Sequence, residues 1–409
     1  MIRKFLALTI ILTSKIVLCQ TSGCTDPLAT NYNSLNTIND GSCIYAAATI
    51  TPVSSWVLPS AMIETSGLIM WDHKVWTHND DKDISIYAVD PGNVNNYQGY
   101  PLSATINNDW EEISQDSDYV YVGDFGNNTN GNRTDLKILR IDKKSILLNN
   151  MIIDTIQFSY SLQTNFNPTG SNNTDFDCEA FIVSKDSIYL FTKQWLSQKS
   201  SIYVLPKKKG TYIANYRATY DVQGLITGAT YIESKKIIVL SGYNKTVQPF
   251  LYLLYDFNDF HFFNGNKRKI SLNLPFHQVE GITTDDGLTY YISNENFAHP
   301  PITVSQKLHE IDMTYYLGLY LNNQSVNVNE LKKSNIVLSP NPVNDVMSVS
   351  ITPDCLGQMY SITDLSGRVL LKGVLNKQVT EINLEKLSKG CYSFILNNQN
   401  DRVKKIVKN

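Results

Sequence analysis

Residues 109–128, DWEEISQDSDYVYVGDFGNN, set a tryptophan and two adjacent carboxylates ahead of a short apolar stretch and a Gly/Asp/Asn turn. Neighbouring carboxylates can work as a general acid–base pair or supply oxygen ligands to a hard cation. The same layout recurs along the chain, and the recurrence separates the two acids. Glu111 falls in register with Glu179 and Glu280, whereas the counterparts of Glu112 are Ala180 and Gly281. The first copy has Ser66 at that position with Glu64 two residues earlier; the fourth has Thr227 or Gly228. Glu112 is therefore expected to face away from its neighbour. Carboxylates at one level of a narrow channel repel one another unless a cation or basic group compensates, or some are protonated. Glu64, Glu111, Glu179 and Glu280 are thus a candidate site for calcium or another divalent cation. Alternatively, each accepts backbone N–H groups of the adjoining repeat and locks the fold.

His78, Asn79, Asp80, Asp124 and Asn294 sit at strand ends or turns, where a channel mouth would bind a ligand. The same residue types also form turns through their own side chains. The other histidines, at positions 73, 261, 277, 299 and 309, are scattered. No GxSxG elbow, HExxH or P-loop is present.

The elements that must position these residues are short strands. Inner hairpins begin near Glu64, Trp110, Cys178, Thr227 and Val279. Each is followed by a strand with an apolar–Tyr or apolar–Leu beat: ISIYAVD (84–90), LKILRID (136–142), SSIYVLP (200–206), PFLYLLY (249–255) and QKLHEID (306–312). A fourth strand precedes the next copy, as in DTIQFSY (154–160) and RKISLNL (268–274). Four strands at a period of roughly 50 residues predict a β-propeller over residues 50–325. Five copies are legible, and TITPVSSWVL (49–58) can supply the outer strand that closes the ring; five or six blades both fit. From 334 to 409, short alternating strands with Gly turns predict a small immunoglobulin-like β-sandwich. The expected class is all-β.

With 35 basic and 38 acidic residues, the net charge of −3 implies neither a nucleic-acid nor a membrane surface. Residues 1–19 have a basic start and an apolar run, the layout of a secretory signal peptide. No spanning segment is expected after its removal. Cys24 and Cys43 bracket a segment too small to bury a core, so a disulfide is predicted in an oxidising compartment. Cys178 lies in an apolar strand and reads as a buried thiol; Cys355 and Cys391 could pair in the last domain.

Three resemblances bear on function. Residues 23–45 resemble a Cys-bracketed module (C-T-D-P-x-A-x-N-Y-N…D-G-S-C-x-Y) common in secreted proteins of the Bacteroidetes. Ser339–Pro340–Asn341–Pro342, Tyr360–Asp364 with Gly367, Leu387–Tyr392 and the basic tail Lys404–Lys408 resemble the C-terminal sorting domain of the type IX secretion system. Cys391 departs from that pattern, which more often has an apolar residue there. The resemblance implies that the type IX machinery is a partner through this domain. It also implies a secreted or outer-surface location, with the domain removed or used for attachment. Glu64, Ser66, Gly67, Trp76, His78, Asn79, Asp80, Trp110, Glu111, Gly123, Asp124, Gly126 and Asn128 resemble secreted propellers of the phytase-like, NHL-type and gluconolactonase-like groups. That likeness implies a fold more than a reaction. Two readings follow: a head that binds a ligand, glycan or protein at its channel mouth with calcium, or a metal-dependent lactonase or phosphoesterase using Glu64, Asn79 or Asn294, and Asp124.

Overall fold

The computed structural model describes residues 20–327, 337–351, 356–364, 367–396 and 403–409. The expected signal peptide and Cys355 lie outside the described residues. The chain divides into two compact units, Met1–Leu321 and Asn322–Asn409.

The described residues of the first unit form five four-stranded blades, each beginning with an antiparallel hairpin whose first strand lies innermost; the second and third blades join edge to edge in one eight-stranded sheet. The innermost strands are Thr65–Trp71, Trp110–Gln115, Asp177–Val183, Leu225–Ile232 and Val279–Thr284. They neighbour one another in chain order, and the fifth lies against the first, so the ring closes. Asp177–Val183 is buried at every position, whereas the outer strand Asn266–Leu272 alternates buried and half-buried residues. Strands exposing two faces to neighbouring blades need apolar residues on both, and the sequence supplies them.

The cores confirm the ring. One cluster holds Ile69 and Trp76 of the first blade with Trp110 and Val122 of the second. Another joins Tyr121 and Ile138 of the second to Phe181 and Leu190 of the third. A third joins Ile182 and Phe191 to Ile226 and Leu240, and a fourth Val239 and Leu251 to Ile282 and Tyr290. A last cluster packs Leu68 and Val75 of the first blade against Leu308 of the fifth. Each fully buried large side chain contributes roughly 1.5–3 kcal/mol. Five blades therefore meet at five apolar interfaces, which decides between the five- and six-bladed alternatives.

Closure uses the N-terminal segment twice. Ser54–Val57 pairs antiparallel with Lys307–Asp312 and becomes the outer strand of the fifth blade. Thr49–Ile50 adds in parallel to Ser271–Leu272 of the fourth. The outer strands of the second and third blades also pair in parallel, Ile156–Tyr160 against Gly210–Ala214. Ahead of this segment Cys24 and Cys43 form a disulfide. Their loop is bonded to the fourth blade: the Asn39 amide donates to Asp256 at 2.7 Å, and Asp26 accepts from the hydroxyls of Tyr45 and Tyr255.

In the second unit, a three-stranded sheet (Val337–Ser339, Val346–Ser350, Val379–Asn383) and a four-stranded sheet (Met359–Thr363, Val369–Val374, Gly390–Leu396, Val403–Lys408) enclose Met347, Val349, Ile362, Phe394 and Ile406. This is a small β-sandwich.

Candidate functional site: two acidic clusters

Every innermost strand slips register near its start. Pairing passes from Thr65↔Asn79 to Leu68↔Thr77, from Trp110↔Asp124 to Glu112↔Gly123, and from Cys178↔Thr192 to Ala180↔Phe191. It likewise skips Thr227 in the fourth blade and Glu280–Gly281 in the fifth. A β-bulge re-aims the extra residue, which explains why one equivalent position in all five blades departs from strand alternation. Where that residue carries a hydroxyl, it pins the next blade. Ser66 Oγ donates to the Glu111 carbonyl at 2.5 Å, and Thr227 Oγ1 donates to the Val279 carbonyl at 2.5 Å.

In the other three blades the bulged residue is an acid: Glu111, Glu179 and Glu280 are 7%, 2% and 7% exposed. Glu111, Asp177 and Glu179 each present a carboxylate oxygen, all within 4.8 Å of one another. Asp177 is fixed by the Asn127 N–H at 2.6 Å and the Trp195 indole N–H at 2.8 Å. Glu179 forms an ion pair with buried Lys193, whose ammonium lies 4.8 Å from the Trp195 ring centre and 5.1 Å from that of Tyr243. The Glu111 carboxylate receives no hydrogen bond from any described residue. Gly126 lets the following loop approach: a Cβ there would fall 2.2 Å from Glu111 Oε1 and 2.3 Å from Asp109 Oδ2.

A second set, Glu64, Asp80 and Glu295, also presents oxygens within 4.8 Å of one another. Burial, with Glu280 and Asp80 adding their charge, pushes the Glu295 carboxyl up to about 9. Burial raises Glu280 to about 7, opposed by Lys193. Burial, helped by Glu64 and Glu280, raises Asp80 to about 7. Glu111 stands well above the usual carboxylate range through burial and then the charge of Glu179. Burial also raises Glu179, against the pull of Lys193. For Lys193 burial opposes the charge, yet Glu179, Glu280 and Asp177 hold it well above the usual lysine range. Carboxyls raised by burial, and then by one another's charge, are groups that a hard cation would ionise.

The sequence-derived candidates fall into different places. Glu111, Glu179 and Glu280 share the bulge position, but Glu64 stands with Asp80 and Glu295. Among the other candidates, Asp80 faces an acidic set. His78 is fully buried edge-on to Trp110, its Nδ1 3.1 Å from the Asn79 carbonyl oxygen, and burial lowers it to about 4. Asn79 donates to the Ala61 carbonyl and Asp83, both at 2.8 Å. Asp124 is held by Arg133 and Lys137, each at 2.8 Å. Asn294 bridges His309 at 2.8 Å and the Ser305 carbonyl at 2.9 Å. Asn79, Asp124 and Asn294 spend their polar atoms on the fold, whereas His78 Nε2 is buried without a hydrogen-bond partner among the described residues.

Glu112 is a correction. Rather than turning away, it is completely buried and crosses the ring, accepting the Ala229 N–H of the fourth blade at 2.7 Å. Gly67 makes room for it, since a Cβ there would lie 2.1 Å from Glu112 Oε1. Backbone locking, the alternative for the recurring acids, is thus what their neighbour does. Asp109, Asp177, Lys193 and Glu295 escaped the sequence reading; the D-C-E triplet at 177–179 was the available signal, hidden until the bulge brings both acids to one side. Cys178 is a buried thiol raised by burial.

Residues 337–409 match the family model of the secretion system C-terminal sorting domain. No curated protein matches the chain in sequence. Among solved structures, PorZ of Porphyromonas gingivalis is described as an essential bacterial surface component of the type-IX secretion system. It aligns with a TM-score of 0.30 and 11% identity over 91% of this chain and 48% of PorZ. The extracellular domain assigned to a one-component system of B. thetaiotaomicron gives 0.30 and 10%, over 87% of this chain and 58% of that one. A chain of the mitotic checkpoint complex gives 0.33 and 10%, over 64% and 94%. This chain therefore spans about half the length of the first two. Superpositions this loose transfer no activity. No helix among the described residues is long and apolar enough to cross a membrane. The chain is a β-propeller protein with a type IX secretion C-terminal sorting domain over residues 337–409, and it is addressed to the outer surface of the cell or beyond.

Proposed function

We propose that the propeller is a binding head displayed outside the cell, whose acidic mouth takes up a divalent cation, calcium by its all-oxygen donor set, and through it a ligand rich in oxygen donors. The observation that carries this reading is Glu111: a carboxylate 7% exposed, without a hydrogen-bond donor among the described residues, converging with Asp177 and Glu179. A buried carboxylate with no donor is costly unless it is neutralised. Calcium takes 6–8 oxygens, so three carboxylates leave coordination positions for water, carbonyls or the hydroxyls of a glycan. Calcium should raise the melting temperature of the purified protein by several degrees at saturating concentration. Glu111→Gln should weaken that effect roughly tenfold or more, about 1.4 kcal/mol in binding. An unchanged melting temperature would remove the cation from the account.

A metal-dependent hydrolase is the second reading, favoured by Glu280, an acid raised to about 7 beside the same carboxylates. A general acid needs a pKa near the working pH. Hydrolysis of a lactone or phosphoester that disappears in Glu280→Gln while calcium binding persists would select this reading over the first.

A further inference from the structure

The ring closes where the fifth blade meets the first, and the second acidic set sits on that seam. Glu64 precedes the inner strand Thr65–Trp71 of the first blade, and Asp80 follows its partner strand Lys74–Asn79, so both stand at the open end of one hairpin. The Asp80 N–H donates to the Glu64 carbonyl at 3.1 Å, and the Glu64 N–H donates to Asn79 Oδ1 at 3.1 Å. Glu295 comes from the other side of the seam, directly after Thr289–Asn294 of the fifth blade. The Asn296 N–H donates to the Ile63 carbonyl at 3.0 Å, which holds this turn against the first blade. The backbone thus brings one carboxylate oxygen from each of the three residues within 4.8 Å of the others.

This set lacks the compensation built into the first. There Lys193 pairs with Glu179, and Asp177 accepts two N–H groups. Here no described residue donates to the carboxylates of Glu64, Asp80 or Glu295, and Asp80 Oδ1 is buried without a partner. A fourth carboxylate, that of Glu280, is also without a donor among the described residues at 7% exposure, and its charge acts on Glu295 more strongly than any other. The cation felt at Glu295 is Lys193, which acts less than Glu280, Asp80 or Glu64 and is already paired with Glu179. Buried carboxylates with neither donor nor counter-charge are orphans that native structures satisfy with an ion. Glu64, Asp80 and Glu295 are each half-buried, so an ion reaches them from solvent.

We propose that Glu64, Asp80 and Glu295 form a second divalent-cation site, a clip across the seam that closes the ring. Calcium holds its oxygens at about 2.3–2.6 Å, so two ligands of one ion stand at most about 5 Å apart, and the observed spacing fits a single ion. The solvent side leaves coordination positions for water. The site extends the cation reading of the propeller but shares no ligand with the Glu111 set, so either can fail alone. An ion here bonds the first blade to the last, and so reinforces the closure made by Ser54–Val57.

Equilibrium dialysis of the metal-stripped protein against calcium chloride, in potassium chloride buffer, counts the ions held per chain. Two are expected. Glu295→Gln and Glu64→Gln should each weaken one of them tenfold or more and leave the other, while Glu111→Gln does the reverse. A single ion weakened by Glu295→Gln but not by Glu111→Gln keeps this site and removes the first. Calcium binding that Glu295→Gln and Glu64→Gln both leave unchanged overturns this proposal, and the Glu111 reading then stands or falls on its own variant. No bound calcium overturns both. Circular dichroism serves as the folding control, and if Glu295→Gln does not fold, Glu64→Gln decides.

Discussion

Glu111 and Glu112 are adjacent in the chain and do opposite work. Glu112 crosses the ring to a backbone N–H of the fourth blade, so its removal leaves that donor buried and alone. An orphaned buried donor costs about 1–3 kcal/mol, and the space left by the side chain adds to it. Glu112→Ala should therefore lower unfolding stability by about 3 kcal/mol in urea while Glu111→Gln leaves it nearly unchanged or raises it. Acidity offers a second check. Glu280 and Glu295 have folded values raised to about 7 and about 9, above those of an unfolded chain. A raised carboxyl binds its proton more tightly in the folded state, so its contribution is complete below the unfolded value and is lost as pH rises through the folded one. Without calcium, the melting temperature should fall between pH 6 and pH 9, and calcium should restore more of it at pH 9 than at pH 6. A flat profile would mean that the mouth is not crowded with protonated acids. The recurrence of Glu111, Glu179 and Glu280 was legible because it needs only counting. Asp177 and Glu295 were not, because which acids meet depends on a register slip that strand periodicity does not encode.

At the scale of elements, the bulge is the device that builds the mouth. One tight point is Gly67, where a Cβ would meet Glu112 Oε1 at 2.1 Å and the Ile113 nitrogen at 2.4 Å. Gly67→Ala should cost several kcal/mol through overpacking at the first–second blade contact, read by thermal unfolding. A Ser66→Ala change, by contrast, removes one hydroxyl bond to the Glu111 carbonyl and should cost about 1 kcal/mol. The strands themselves were plain in the sequence: the five apolar–Tyr beats became the third strands of five blades with ends shifted by a residue at most. The predicted closing stretch 49–58 split between two blades. Its first part joined the fourth sheet and its second the fifth, a division that depends on where each outer edge lies.

At the scale of the whole molecule, the N-terminal segment links two features: the disulfide loop and the closure of the ring. Cys24 and Cys43 are 19 residues apart, and a cross-link of that span contributes about 3 kcal/mol by restricting the unfolded chain. Cys24→Ser with Cys43→Ser should lower the melting temperature without altering calcium affinity, since the loop bonds to the fourth blade and not to the mouth. The sorting domain was legible from short motifs alone, because its function is that of an address read by export machinery. The channel chemistry was less legible, because it arises only where five repeats converge. The most direct test of that chemistry is calcium titration calorimetry on the mature protein at pH 8, stripped of metal beforehand. Saturable binding with proton release is expected, lost or weakened at least tenfold in Glu111→Gln. Absence of binding heat in the unaltered protein, with no change in its melting temperature, would contradict it.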